Sequence, residues 1–553
     1  MNVLIKKRLG QYLLAAGLFL SFLTGTASSE ETFFENVIVM VADGMGSAHT
    51  TVARWYKGSP LALDRMLLGA VRTYGADSII TDSAPAATAF ATGHKTSDKL
   101  ISVLPGSVTT PGVKRIPDNL MYKPVATVLE GARLSGRSVG IIATSNIQQA
   151  TPAGFSAHWP DRNNYNEIAE QQVYLNMDVV LGGGKKYLVP KGKGGARTDG
   201  EDLVEVLKSR DYDFVETKSA MRKSTSRKLW GMFADMDMAY EFDRRIFHTG
   251  QPALSEMTEK AIEILSKNPK GFFLLVEGSK IDWASHSNDP VGVISDVLAF
   301  DDAVKAALDF AKAKGKTMVL AFSDHGAGGM SIGNKPADGA HPKLTYEAAF
   351  GSLKKARLTG EGLERAIGKD PSDEHIRKVM AQYAGVNDLA QDEINAVKKA
   401  KPARMSYAAG TIMSRRTGIG WSTNGHTGED LFFYTYGLNS NIGLIENTDI
   451  ARIIAEGMNF DLAVIDREVF VDAEEAFGGI GTSVRIEKRD PVNPVLIIEK
   501  KGSYAEMPFS KDIIRTGADR KEYRMEGVTV FSPRTNKVYI PKQAVSIFEG
   551  ETR

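Results

Sequence analysis

Short apolar runs that end at polar residues recur through the first part of the chain; the clearest are 35–43, 138–144, 271–278 and 316–324. A nearly continuous run of this kind is typical of a strand that is buried on both faces. Helical patterns lie between the runs, the longest of them at 290–315. Strands that alternate with helices predict an α/β fold, with a mostly parallel central sheet and helices on both of its faces.

The pattern changes twice beyond the last of these strands. Residues 344–401 carry charged, amphipathic stretches that predict three helices, the second with Ser372 as its N-cap. Residues 461–553 carry short strand-like pieces that are separated by turns. We therefore predict a core domain at 30–460, a helical insertion in it at about 344–401, and an added C-terminal β-rich region at 461–553.

The N-terminus has the order of a secretory signal peptide. A basic stretch precedes a short apolar run from Tyr12 to Leu23, and small and polar residues follow. The run is shorter than the roughly 20 residues that a membrane-spanning helix needs. We predict a signal peptide at 1–29, an exported protein that is periplasmic or secreted, and no stable membrane insertion after cleavage. An uncleaved anchor is the alternative.

Composition and charge exclude several kinds of partner and catalytic site. The 553 residues carry a formal net charge of +1, which gives no strong field toward nucleic acid or an anionic membrane, so we expect no nucleic-acid partner. The chain has no cysteine, which excludes a cysteine nucleophile and thiolate metal ligands. Any transition metal therefore needs histidine and carboxylate ligands.

Carboxylates and histidines follow two of the predicted strands. Glu277 ends one strand, and Asp282 and His286 follow at a spacing of four, which places both on one face of a helical turn. Asp324 and His325 are adjacent at the end of another strand. Such groups can bind zinc, but an ion pair or an ordinary polar strand end explains each of them equally well when taken alone.

Two weaker candidates lie in loops and at a helix start. His426 is flanked by glycine and threonine in a polar loop, where histidines are common. Ser83 stands at the predicted start of an alanine-rich helix, just before Pro85. Ordinary N-capping is one interpretation of Ser83; the other is a nucleophile whose helix N-terminus binds phosphate through backbone N–H groups and the positive end of the dipole.

The order of the motifs carries more information than any one of them. Together they resemble the alkaline phosphatase family over roughly residues 35–460, with the helical insertion interrupting the match. The motifs are VMVADGMG at 39–46, TDSAPAATAFATG at 81–93, ATPAGFSAHWPDR at 150–162, DVVLGGGKKYLVP at 178–190, EGSKIDWASH at 277–286, SDHGAGG at 323–329 and NGHTG at 424–428.

The resemblance implies a metal-dependent phosphomonoesterase with two zinc ions and a third ion, usually magnesium in the family. Ser83 is the implied nucleophile and Arg162 the implied phosphate-binding catalytic residue. The implied ligand sets are Asp282, His286 and His426 for one zinc, Asp43, Asp324 and His325 for the second, and Asp43, Thr151 and Glu277 for the third ion.

Two positions depart from the pattern of the family. Gln149 stands where relatives commonly carry Asp or His beside the third ion, so the identity of that ion is left open. Trp283 stands where many relatives carry a basic residue or His. Because an indole offers phosphate no positive charge, we expect weaker binding and faster release of the phosphate product.

The predicted function is hydrolysis of small phosphate monoesters through a covalent phosphoserine. One alternative is a phosphodiesterase of the same superfamily, and a sulfatase is less well matched because the segment around Ser83 lacks the expected Pro- and Arg-containing signature. Another alternative, from a different class, is an inactive exported protein that binds phosphate. A homodimer is left open.

Overall fold

The computed structural model describes residues 33–334, 344–369, 371–400, 404–438, 442–478, 481–488 and 490–551. The predicted signal peptide at 1–29 lies outside these residues. Phe34–Arg553 forms one unit. In the part of the chain that the structure describes, no helix combines the length and the apolar character needed to cross a bilayer.

The described residues contain strands that we number β1 to β22. In chain order they are Asn36–Ala42, Leu67–Arg72, Ser138–Asn146, Val179–Gly183, Asp213–Val215, Leu229–Met232, Phe272–Gly278, Thr317–Phe322, Gly326–Ala327, Met330–Ile332, Ile419–Trp421, His426–Thr427, Leu431–Tyr436, Gly443–Glu446, Val471–Asp472, Ser483–Glu487, Val495–Lys500, Ser503–Pro508, Ile513–Thr516, Lys521–Arg524, Val530–Ser532 and Lys537–Ile540.

The α-helices of the described residues are numbered α1 to α20. In chain order they are Ser47–Lys57, Ser83–Thr92, Val128–Leu134, Ala150–Ser156, Tyr165–Tyr174, Leu203–Ser209, Lys218–Lys223, Glu241–Phe247, Leu254–Leu265, Lys280–His286, Pro290–Lys314, Tyr346–Phe350, Gly360–Ile367, Asp373–Val379, Gln391–Lys399, Met405–Thr417, Asn447–Gly457, Leu462–Val469, Ala473–Gly478 and Gln543–Glu551.

A ten-stranded sheet forms the centre of the fold, in the order β14-β2-β13-β8-β1-β7-β3-β4-β6-β5. Only β13 runs against its neighbours in this sheet, and the other pairs are parallel. The four strands predicted from apolar runs are the adjacent strands β8, β1, β7 and β3. Every residue of β1 and β7 is buried, which explains why their sequences do not alternate between apolar and polar.

Helices cover both faces of the sheet, and β1 shows how the two apolar cores are separated. Its residues Val37, Val39 and Val41 belong to one core, while Ile38 and Met40 belong to the other. Helices α2, α3 and α4 pack on the first side, and α9 and α11 on the second. The predicted α/β architecture, with a mostly parallel sheet between two layers of helices, is confirmed.

The helical segment between β10 and β11 contains α12 to α16. Three of them, α12, α14 and α15, match the predicted helices, and the Ser372 hydroxyl accepts a hydrogen bond from the His375 N–H, as an N-cap does. Helices α13 and α16 were not predicted. The sequence of α13, GEGLERAI, has two glycines among its first three residues, which weaken a helical pattern.

The C-terminal residues form two antiparallel sheets, β16-β17-β18-β19-β20 and β15-β22-β21, together with short helices. Charged residues such as Arg515 in β19 and Glu522 in β20 interrupt the apolar pattern of these strands. A buried ion pair fixes this region to the rest of the unit. Arg210 donates to both oxygens of Asp512, at 2.7 and 3.0 Å.

Removing Asp512 should destabilise the protein more than removing an exposed partner. Asp512→Ala leaves the buried Arg210 guanidinium without its counter-charge, so we expect the free energy of unfolding in urea to fall by about 3–5 kcal/mol. The matched control is Glu499→Ala, which removes an exposed pair with Arg485 and should cost less than about 1 kcal/mol. Equal losses in the two variants would contradict the anchoring role of Arg210–Asp512.

Candidate active site

The carboxyl ends of β8, β1 and β7 meet at one edge of the sheet, because these adjacent strands are parallel. Asp43 follows β1, Glu277 lies near the end of β7, and Asp324 follows β8 by two residues. Gly44 has a φ of +74°, and a Cβ there would lie only 2.7 Å from the Cα of Asp282. A glycine at this position therefore lets the loop after β1 lie directly against α10.

Helix α10 and the loop around β12 bring one set of predicted ligands together. The spacing of four places His286 Nε2 3.2 Å from Asp282 Oδ2, and His426 Nε2 lies 3.5 Å from Asp282 Oδ1. A hydrogen bond with the backbone oxygen of Asn424 orients the other ring nitrogen of His286. One ligand atom from each of Asp282, His286 and His426 lies within 4.8 Å of the others.

The second set surrounds a single ring nitrogen of His325. Its Nε2 lies 3.0 Å from Ser83 Oγ, 3.2 Å from Asp324 Oδ2 and 3.6 Å from Asp43 Oδ1. The other carboxylate oxygen of Asp324 accepts hydrogen bonds from the N–H groups of Gly44 and His325. One N–H cannot serve three acceptors at once, so this cluster has more acceptor oxygens than donors.

The third set lies at the inner end of the same cavity. Thr151 is in the first turn of α4 and is 1% exposed, as is Glu277. Gln149 is the N-cap residue of α4, and its side-chain oxygen accepts a hydrogen bond from Arg162 at 3.1 Å. In this structure Gln149 therefore contacts the phosphate-binding candidate Arg162.

Arg162 is held by a partner that the sequence did not reveal. Its guanidinium forms an ion pair with Asp82, which directly precedes Ser83. Asp82 is the N-cap residue of α2, but its side chain makes no capping hydrogen bond to the helix. The sequence offered Ser83 as an N-cap, whereas the structure places Asp82 at the N-cap and Ser83 as the first residue of the helix. Only the fold shows that Asp82 faces an arginine 80 residues later. The first N–H groups of α2 are consequently not engaged by the cap side chain.

The site is a cavity of about 230 Å³ with a mostly polar lining. Eight of the ten predicted site residues line it; the other two, Asp324 and His325, contact Asp43 and Ser83 as described above. The structure thus brings all ten together, while their roles stay a prediction. The lining residues are Asp43, Asp82, Ser83, Ser145, Gln149, Ala150, Thr151, Arg162, Asn163, Tyr165, Glu277, Ser279, Asp282, Trp283, His286 and His426.

Electrostatics at this edge of the sheet are dominated by negative charge. Burial, reinforced by the charges of Asp324, Asp282 and Glu277, raises the pKa of Asp43 well above its usual value. Burial, together with the charge of Asp324, raises the pKa of Glu277 to about 8. For Asp282, burial acts in the opposite direction, but the hydrogen bond from His286 and the nearby imidazoles lower its pKa to about 2.

Several buried oxygens in the cavity or beside it lack a hydrogen-bond donor. Asp43 Oδ1, Asp282 Oδ1, Asp324 Oδ2 and Thr151 Oγ1 form no hydrogen bond with any described residue. Leaving buried polar oxygens unpaired is costly, and like-charged carboxylates repel each other in a low-dielectric interior. Divalent cations among oxygen and imidazole ligands remove both costs, so the donor set fits the metals that the motifs imply.

His49 is a further residue near the site that the sequence analysis missed. It lies in α1, 2% exposed, and its Nε2 is 2.9 Å from the hydroxyl of Ser285 in α10. Burial lowers the pKa of His49 to about 4, so it is neutral at ordinary pH. A lone histidine outside the recognised motifs gave no signal of this contact.

Comparisons with known proteins agree with the site. The sequence profile of the family described as "Alkaline phosphatase" matches residues 34–460. The chain belongs to the alkaline phosphatase family. Alkaline phosphatase 3 of Bacillus subtilis is 36% identical over 456 residues, covering 78% of this chain and 91% of that protein.

Solved structures of alkaline phosphatases share the fold. The enzyme of Thermus thermophilus is 27% identical with a TM-score of 0.68, and the match covers 79% of this chain and 94% of that one. A histidine-to-aspartate variant of the enzyme from the Antarctic bacterium TAB5, described with Mg bound in the M3 site, is 27% identical with a TM-score of 0.55, covering 78% and 99%. The predicted family and fold are confirmed, and with them the prediction of a phosphatase.

Divalent cations should stabilise this alkaline phosphatase by relieving the crowding of carboxylates. Adding Zn²⁺ and Mg²⁺ to chelator-treated protein should raise the melting temperature. When the free ion is at 100 times its dissociation constant, each occupied site should raise the free energy of unfolding by about 2.7 kcal/mol. Asp43→Asn should raise the melting temperature without cations, because it removes one repelling charge, and should shrink the gain that cations give.

The matched control for this experiment is Glu170→Gln. Glu170 belongs to another acidic group, with Asp199 and Glu201, whose members form ion pairs with Arg197 and Lys511. Differential scanning calorimetry should show the same cation-dependent rise in Glu170→Gln as in the wild type. If Asp43→Asn and Glu170→Gln gain equally from cations, the cations do not bind at the predicted site.

Proposed function

We propose that this alkaline phosphatase hydrolyses phosphate monoesters through a covalent phosphoserine on Ser83. The main support for this proposal is that Ser83 Oγ, an Asp43 oxygen and an Asp324 oxygen all lie close to His325 Nε2. In the first step Ser83 Oγ bonds to phosphorus while the bond to the leaving alcohol breaks. In the second step water attacks phosphorus, and Ser83 and inorganic phosphate are released.

Three metal ions complete the proposed site. Bound divalent cations supply Lewis-acid chemistry there, since they neutralise charge and lower the pKa of neighbouring hydroxyl and water oxygens. We assign zinc to the two sets that contain imidazoles and magnesium to the oxygen-only set, following the preferences of the two ions. The residues are Asp282, His286 and His426, then Asp43, Asp324 and His325, and finally Asp43, Thr151 and Glu277.

The identity of the third ion depends on Gln149, which we place beside its ligands. The TAB5 variant described with magnesium in its M3 site carries an introduced aspartate. Gln149 adds an oxygen but no charge, and in this chain that oxygen accepts from Arg162. We propose magnesium here, held by Asp43, Thr151 and Glu277, and we assign proton transfer to and from Ser83 to this side of the cavity.

Phosphate recognition falls to the residues around the start of α2. Arg162 presents a planar guanidinium that can bind two phosphate oxygens, and Asp82 and Gln149 orient it. The positive end of the α2 dipole and its first N–H groups stabilise negative charge on phosphate and on the Ser83 oxygen. Most of the catalysis in phosphoryl transfer comes from such positioning and electrostatics.

We also propose the organisation of the whole chain that the sequence predicted. Residues 1–29 are the signal peptide of an exported, periplasmic or secreted enzyme. Residues 30–460 are the catalytic domain, with the helical insertion at about 344–401, and residues 461–553 are the added β-rich region.

Ser83→Ala tests the nucleophile. We expect kcat for p-nitrophenyl phosphate to fall about 10³-fold or more, because the variant cannot form the covalent intermediate. Wild-type protein quenched in acid should carry phosphate on Ser83, whereas Ser83→Ala should carry none. The control is Ser78→Ala, which changes an exposed serine of the preceding loop and should keep full activity. Intact turnover in Ser83→Ala would overturn the proposal.

The alternatives are separated by substrate. We expect the wild type to prefer p-nitrophenyl phosphate over bis-p-nitrophenyl phosphate and p-nitrophenyl sulfate, because Thr151 and Glu277 complete a third metal site that favours monoesters. Preference for the bis-ester would support a phosphodiesterase. Tight phosphate binding without any turnover would support a binding protein.

Trp283→Lys tests the expected weak binding of product. A lysine at this position places a cation beside the phosphate, so we expect the inhibition constant of inorganic phosphate to fall about 5- to 10-fold, which equals roughly 1–1.4 kcal/mol. Trp283→Met is the neutral control and should not lower it. A phosphate inhibition constant in Trp283→Lys that is equal to or higher than in the wild type would contradict the hypothesis.

A further inference from the structure

Lys280 is a buried lysine directly behind the active site. It opens α10, the helix that carries Asp282 and His286, and it is only 3% exposed. Its Nζ lies 4.4 Å from the ring centroid of Tyr240 and 4.5 Å from the ring centroid of Trp283. Glu361 of α13 lies 3.6 Å away. The ammonium group therefore lies between two aromatic rings and a carboxylate.

The rings are the partners that matter most for this charge. A buried ammonium is costly without compensation, and an aromatic face within about 6 Å stabilises a desolvated cation. The Glu361 side chain is 59% exposed, so water screens its attraction. Movement of the Trp283 ring away from Lys280 would cost much of this stabilisation. Lys280 consequently restrains the indole.

The helical insertion fixes the third partner. The Thr359 N–H and hydroxyl donate to Asp243 at 2.9 and 2.6 Å, and the Gly360 N–H donates to Asp289 at 2.7 Å. Asp289 is the N-cap residue of α11, immediately after α10. These buried contacts hold the start of α13, and with it Glu361, beside Lys280.

Trp283 offers apolar surface in an otherwise polar cavity. Apart from the imidazoles of His286 and His426, only Ala150, Tyr165 and Trp283 among the described lining residues have a largely apolar side chain. Tyr165 lies on the Arg162 side, where it packs against Tyr187 at 4.8 Å between ring centroids. Trp283 instead lies in the same helical turn as Asp282 and His286. These two residues would hold the zinc ion that we propose to stabilise the oxygen of the leaving alcohol.

We propose that Trp283 determines leaving-group specificity by packing against the organic group of the ester, and that Lys280 is the positioning residue that holds the indole. The inference rests on the proposed function. A flat aromatic group gains contact area and stacking from an indole, whereas a small alkyl group gains little. The enzyme therefore favours aryl phosphates over small alkyl phosphates beyond their difference in chemical reactivity.

The ratio of kcat/KM for phenyl phosphate to kcat/KM for ethyl phosphate measures this preference. Intrinsic reactivity cancels when the ratio is compared between variants. We expect Trp283→Leu to lower the ratio about 5- to 10-fold, mainly through KM for phenyl phosphate. Calorimetry should show the same loss in the binding of phenylphosphonate relative to methylphosphonate. An unchanged ratio in Trp283→Leu overturns the proposed role of Trp283 but leaves the proposed function intact. A wild type that hydrolyses neither ester overturns the proposed function.

Lys280→Met and Lys280→Arg test the positioning role. Lys280→Met keeps much of the side-chain volume but removes the charge, so the ratio should fall about 3- to 5-fold, and Lys280→Arg should restore most of it. A merely structural role would lower kcat/KM for both esters equally, which overturns the assignment, as does failure of arginine to restore the ratio.

Glu361→Lys tests the same contact from an exposed position, where folding is not at risk. A second cation beside Lys280 should displace the ammonium and lower the ratio in the same direction. The matched control is Glu374→Lys, which makes the same charge change at an exposed position of α14 and should leave the ratio unchanged. Equal ratios in Glu361→Lys and the wild type overturn the coupling between Lys280 and Trp283.

Discussion

The structure depends on one electrostatic constraint, the crowding of buried carboxylates at the carboxyl ends of adjacent parallel strands. Asp43, Glu277 and Asp324 follow or end β1, β7 and β8, and α10 adds Asp282 from the side. Burial and mutual repulsion keep such a group from being ionised and stable at once. In the proposed function, bound cations resolve the conflict, and the imidazoles and the Ser83 hydroxyl lie among the same carboxylates. The same cluster of carboxylates thus limits the stability of the metal-free protein and would bind the catalytic metal ions.

The remainder of the fold holds this cluster in place. Two apolar cores fix the sheet from both sides, so the strand ends keep a constant spacing. Ser83 is the first residue of helix α2, and the ion pair between Asp82 and Arg162 lines the cavity beside it. The insertion donates hydrogen bonds to Asp243 of α8 and to Asp289 at the start of α11, and its Glu361 lies beside Lys280 of α10. The C-terminal sheets are joined through Arg210–Asp512, away from the cavity.

The central strands were predicted from apolar runs, and the site residues were predicted from short motifs that resemble one family. The structure brings those site residues together, while their roles stay a prediction. Buried parallel strands leave apolar runs, and the ligands follow those runs within short motifs. Contacts between distant segments left no such trace. Asp82 is the N-cap residue of α2, but its side chain pairs with Arg162, and no local pattern indicates that contact. Lys280 likewise has the pattern of a surface lysine, although Tyr240 and Trp283 enclose it. Helix α13 was hidden by its glycines, whose cost is offset by tertiary anchoring.

The most direct test of the central claim is to locate metals in crystals of the metal-loaded protein by anomalous scattering at the zinc edge. We expect two anomalous-scattering peaks about 4 Å apart. One should lie among Asp282, His286 and His426, and the other among Asp43, Asp324 and His325, next to Ser83 Oγ. Absence of both peaks, or zinc bound elsewhere while the carboxylates stay unliganded, would contradict it.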